Sequence, residues 1–139
     1  MRQTAVLALD PSCEGRQAAE FLERQGRAWG AGAEVVVRAG VALGEALGAM
    51  RQAGTEGPVT LSASFDEVNL RCRLEDAGAP LPLAGGGAPD AAALLAAEEE
   101  GALDDAMRRV SAALIARLAD RARAGRQGEA AELVLDFER

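Results

Sequence analysis

VTLSASFDEVNLRCRLE, residues 59–75, is the stretch that decides the architecture. Val59, Leu61, Ala63 and Phe65 alternate with Thr60, Ser62 and Ser64. Past Asp66 and Glu67, Val68, Leu70, Cys72 and Leu74 alternate with Asn69, Arg71, Arg73 and Glu75. Successive side chains of a strand point to opposite faces, so a period of two predicts a strand with one dry and one wet side. Two such runs joined by a two-residue polar link predict a β-hairpin. The wet face leaves only the other side for helices to cover.

Upstream, the apolar run 3–9 (QTAVLAL) predicts a strand that ends at Asp10-Pro11-Ser12. Asp10 is placed to cap a helix with Pro11 at its first position. That helix is expected over 13–28, with Ala18, Phe21, Leu22 and Trp29 towards the core, and is broken by Gly30-Ala31-Gly32. A second helix is expected over 33–53, where Val36, Ala39, Leu43, Ala46, Leu47 and Met50 recur at helical spacing. Gly54 through Pro58 then punctuates the chain.

Downstream, DAGAPLPLAGGGAPD (76–90) reads as a loop and Ala91–Glu100 as an alanine-rich helical piece, so that 76–101 forms a flexible, lid-like insertion. A longer helix is expected over 103–124, with Leu103, Met107, Val110, Leu114 and Leu118 on one face and Gly125 at its C-cap. Leu133, Leu135 and Phe137 alternate in a last strand. The order β-α-α-β-β-loop-α-β predicts a single domain, 1–139. Its class is α/β (α+β): a two-layer sandwich whose mixed, largely antiparallel sheet carries helices on one face.

Composition narrows the chemistry. The 139 residues contain no histidine, and all fifteen basic residues are arginine. A Ser-His-Asp or Cys-His site, a Schiff-base lysine and the lysine of a P-loop are therefore excluded. Cys13 and Cys72 alone do not make the four-ligand pattern of a structural zinc site, and Cys72 reads as a small buried hydrophobe. The net charge of −7 argues against a nucleic-acid partner, whose phosphates attract basic faces. No signal peptide is visible, and no apolar run approaches the roughly 18 residues of a membrane span, so no membrane insertion is expected.

Three local features, taken with the element order, resemble the histidine-kinase-type (Bergerat-fold, GHKL) ATPase domain, especially the anti-sigma-factor serine kinases. VALGEALGAM (41–50) followed by RQAG looks like the helix that carries that family's glutamate base and, four residues on, its Mg²⁺-holding asparagine. LEDAGAP (74–80) leaves the hairpin as the family's Asp-x-Gly box does, where the aspartate binds the adenine amino group. LIARLADRAR (114–123), running into the final strand, is similar to the helix and strand that close the fold. The resemblance implies that Glu45 stands at the base position, Asp76 at the adenine aspartate and Gly78 at the box glycine. Ala49 stands where the asparagine belongs, and an alanine offers no oxygen to a cation that wants six oxygen ligands. The glycine-rich lid motif has no counterpart at Arg108, Arg109, Val110, Ser111 and Ala112, and Ala131 replaces a threonine near the last strand.

By residue chemistry alone, Glu45 is a solvated helix-face glutamate, Asp76 and Gly78 are turn formers, and Gly85-Gly86-Gly87 is a linker. Arg108, Arg109, Arg117, Arg121 and Arg123 form a mixed, solvated helix face with Asp104, Asp105 and Asp120. FDEVNLRCRLEDAGAPLPL (65–83) and the segment 114–139 also look like the cytosolic C-terminal domain of bacterial uracil/xanthine permeases, itself a degenerate version of this fold. The resemblance implies a non-catalytic regulatory or docking domain, cytoplasmic or at the cytosolic face of the inner membrane as part of a larger protein. Its partner would be another protein or the rest of a transporter, with no cofactor and no metal, and Met1 would then begin an excised domain. Two alternatives remain: a serine kinase using ATP and Mg²⁺ with Glu45 as base, and a metal-independent sensor binding a nucleotide or nucleobase beside Asp76. A homodimer, through the polar sheet face or an edge strand, also stays open.

Overall fold

The computed structural model describes residues 2–10, 12–52, 54, 57–76, 110–128 and 130–138. Among them the order is β1 (Gln3–Leu9), α1 (Glu14–Trp29), α2 (Ala33–Gln52), β2 (Val59–Phe65), β3 (Asn69–Asp76), helical residues 110–118 (α3), β4 (Arg121–Gln127) and β5 (Ala130–Glu138). The strands form one five-stranded sheet in the order β1-β2-β3-β5-β4. All four pairings are antiparallel, where a mixed sheet was expected.

The central hairpin follows from its alternation. Val59, Leu61, Ala63 and Phe65 of β2 and Leu70, Cys72 and Leu74 of β3 are buried, whereas Thr60, Ser62, Ser64, Arg71 and Arg73 are only partly covered. Leu133, Leu135 and Phe137 of β5 complete the dry face. Helices supply the other half of the core through Ala18, Phe21 and Leu22 of α1 and Ala39, Leu43, Ala46, Leu47 and Met50 of α2. The result is a two-layer α+β domain whose largely aliphatic interior also takes in all three phenylalanines. Helix α1 ends where expected, on Gly30 in the left-handed region (φ 76°), whose N–H bonds back to the Gly26 carbonyl.

Several details differ from expectation. Val68 is not in the strand: it is 65% exposed in the turn, where the Asp66 carboxylate accepts the N–H groups of Val68 (3.2 Å) and Asn69 (2.7 Å). This side-chain clamp lets Glu67 adopt φ 82°, a conformation that ordinarily favours glycine. Asp10 does not cap α1, which starts at Glu14 behind Cys13. Its Oδ1 instead accepts the Ser12 N–H (3.0 Å) and hydroxyl (2.9 Å), making a turn ahead of the helix. Pro11 lies outside the described residues. In α2, Val35 is buried and Val36 only partly so.

The largest correction is at the C-terminal end. Residues 121–124, expected as helix, belong to β4, and Gly125 sits within that strand opposite Glu132 rather than capping a helix. Helix α3 stops at 118, and Asp120 turns the chain. Its N–H donates to the Asp136 carbonyl (2.8 Å), and its carboxylate accepts the Glu138 N–H (2.6 Å). Alanine and arginine are strong helix formers, but seven residues paired to β5 outweigh a per-residue propensity of a few tenths of a kcal/mol. Within α3, Ile115 enters the core and Ala119 follows it just past the helix end, while Leu114 is exposed and Leu118 half-buried. Leu103 and Met107, with the loop 77–90 and the segment Ala91–Glu100, lie outside the described residues.

Candidate functional site

Helix α2 carries Glu45, Ala49 and Arg51 through its last two turns. Glu45 is half-buried rather than solvated, and its Oε2 accepts the Ser111 hydroxyl of α3 at 3.3 Å. One turn further, Ala49 is 4% exposed, a methyl group enclosed by protein. The position that a Mg²⁺ ligand would need presents no oxygen, so these residues do not fit the metal.

Asp76 ends β3 opposite Ala131 of β5, half-buried. Thr60 at the start of β2 pairs with Glu75, and Arg51 reaches the Gly57 carbonyl just ahead of β2, so the end of β3 and the last turn of α2 share one end of the domain. Arg51 is the hub there. Nε donates to Glu14 Oε1 (2.9 Å), and Nη2 donates to Glu14 Oε2 (2.6 Å) and to the Gly57 carbonyl (2.9 Å). The hydrogen bonds to Glu14, reinforced by its charge and that of Asp76, hold the Arg51 guanidinium above its ordinary value against partial desolvation. Gly78, Gly85-Gly86-Gly87, Arg108 and Arg109 lie outside the described residues; of the expected nucleotide set, Glu45, Ala49, Asp76 and the substituted positions Val110, Ser111, Ala112 and Ala131 are placed.

Sequence reasoning missed Glu14 and Arg51, which are 37 positions apart and meet only through the packing of α1 on α2. It also missed Arg38, whose Nη2 donates to the Glu138 carbonyl (2.7 Å) and Nη1 to the Leu118 carbonyl (3.3 Å), tying α2 to the ends of β5 and α3. A signal existed for one group only: Asp120 breaks an otherwise uninterrupted Ala/Leu/Arg run.

The open face of the sheet is laced with charge. Asp136, 7% exposed, takes Arg71 Nε (2.8 Å) and Nη2 (3.3 Å) and Asn69 Nδ2 (3.0 Å). Burial alone would raise the Asp136 carboxyl, but bonds from Arg71 and Asn69 and the charges of Arg71 and Arg121 outweigh it and leave it lowered. Arg73 and Arg123 both reach Glu132, at 3.6 and 3.7 Å. Arg121 and Arg123, expected on a helix, are thus rungs of a cross-strand ion-pair ladder. On the outer side of the helices, an apolar groove of about 630 Å³ lies between α1 and α2. Val37 and Val41, which help line it, are 63% and 51% exposed.

Among the described residues no helix is long and apolar enough to cross a membrane. Comparison with protein-family models gives no match, and comparison with curated proteins gives none either.

Proposed function

We propose that the chain is a non-catalytic regulatory or docking domain, a degenerate Bergerat-type ATPase fold of the kind carried on the cytosolic side of nucleobase permeases. The observation that carries this reading is the enclosed methyl of Ala49 one turn after Glu45. Phosphoryl transfer draws most of its stabilisation from metal and cationic groups on the phosphates, and this helix face offers the metal nothing. Glu45 accepts the Ser111 hydroxyl, consistent with a former site residue that has taken a structural partner. The two-layer order of strands and helices is compatible with the same reading. What remains for function is surface recognition of a protein or of the rest of a transporter.

Thermal denaturation with ATP, and separately with uracil or xanthine, in the absence of Mg²⁺ tests it. A ligand present at 100 times its Kd stabilises a fold by about 2.7 kcal/mol, a readily visible shift. A docking domain shows no shift at millimolar ligand. A shift that disappears in Asp76→Asn would instead make the chain a metal-independent sensor.

A further inference from the structure

Among the described residues β1 pairs only with β2, and its other side is a sheet edge. Alternate residues of an antiparallel strand direct their N–H and C=O groups away from the neighbour, so this edge carries backbone groups that another strand can take up. The two edges of the sheet are unlike. β4 bears Arg121, Arg123 and Arg126, the kind of charged edge that discourages strand addition. β1 reads QTAVLAL, with no charge and no proline. Ala5 and Leu7, towards the helices, are only partly buried against the core, and Val6 on the opposite face is 63% exposed.

We propose that β1 is a self-association edge. Two copies of the chain pair their β1 strands antiparallel about a two-fold axis through Val6, joining two five-stranded sheets into one. In this register Val6 faces Val6 of the second copy, Thr4 faces its Ala8, Ala5 its Leu7 and Gln3 its Leu9. An axis perpendicular to the sheet keeps open face beside open face, and centring it on Val6 uses the whole strand. The flanks point to a second copy rather than a foreign peptide. Arg2 falls opposite Asp10 of the second copy, twice by symmetry, and both residues are exposed. Pairing also covers the half-buried Ala5 and Leu7 with the same residues of the other copy. None of this depends on the reading of the nucleotide site.

Sedimentation velocity of the full chain over a concentration series tests the proposal, with circular dichroism confirming that each variant folds. The expected species is a dimer of twice 14.3 kDa. Val6→Lys, at an exposed position, places two like charges face to face on the axis and returns the chain to monomer. Arg2→Asp and Asp10→Arg each weaken the dimer about fivefold, and combining them restores it by swapping the pair. A wild-type chain that stays at 14.3 kDa up to its solubility limit overturns the proposal. So does a dimer indifferent to Val6→Lys, or one that only Val41→Lys in the α1–α2 groove dissociates.

Discussion

Arg51 grips Glu14 with two parallel bonds, 2.9 Å from Nε and 2.6 Å from Nη2, and so ties the last turn of α2 to the first turn of α1. The planar guanidinium matches the carboxylate edge, and the N-terminal end of α1 adds its own favourable field for the negative charge of Glu14. Glu14 is 8% exposed, which makes a lone carboxylate there costly. Arg51→Met is expected to lower unfolding free energy by about 1–3 kcal/mol, and Glu14→Gln by a similar amount. The double variant should lose less than the sum, a coupling that urea denaturation of the four proteins measures directly.

Asp136 makes stability depend on acid. Its folded carboxyl lies below the ordinary carboxylate value because Arg71 and Asn69 favour the ionised form despite burial. The unfolded chain therefore binds the proton more readily, and the contribution is complete above the unfolded value of about 3.9. It is lost as pH falls through the lower, folded value. Chemical denaturation between neutral pH and pH 3 should show this acid limb, flattened in Asp136→Asn.

The two cysteines should react very differently. Burial pushes the Cys72 thiol up to about 12, whereas Cys13 is partly accessible just ahead of α1. A thiol reagent at neutral pH is expected to modify Cys13 quickly and Cys72 only at the rate of unfolding, because the thiolate is the reacting species. Cys13→Ser should remove the fast phase alone.

Helices α1 and α2 approach closely where Gly26 is buried, and a Cβ there would overlap Val36 Cγ2. Gly26→Ala gains helix propensity worth about 1 kcal/mol but forces a stiff β-branched neighbour to move. A net loss of about 1–2 kcal/mol is expected from overpacking. Adding Val36→Ala should recover it, readable as two opposite shifts in Tm.

Much of the architecture is legible where the pattern has a single physical meaning. Strict alternation in 59–65 and 69–75 admits only a half-buried hairpin, and the spacing of Ala39, Leu43, Ala46, Leu47 and Met50 only a helix with one dry face. Arg121-Ala122-Arg123-Ala124 also alternates, but both residue types favour helix, and only pairing with β5 reveals the strand. At the candidate site the local residues Glu45, Ala49 and Asp76 were legible as positions. Their partners were not, because Ser111 on Glu45 and Glu14 on Arg51 come from elements distant in the chain.

The most direct measurement is ATP binding and turnover by the full chain with and without Mg²⁺. A degenerate site predicts that Mg²⁺ leaves ATP affinity unchanged and that hydrolysis stays at the buffer background. Tightening by Mg²⁺, together with hydrolysis that vanishes in Glu45→Ala, would contradict it.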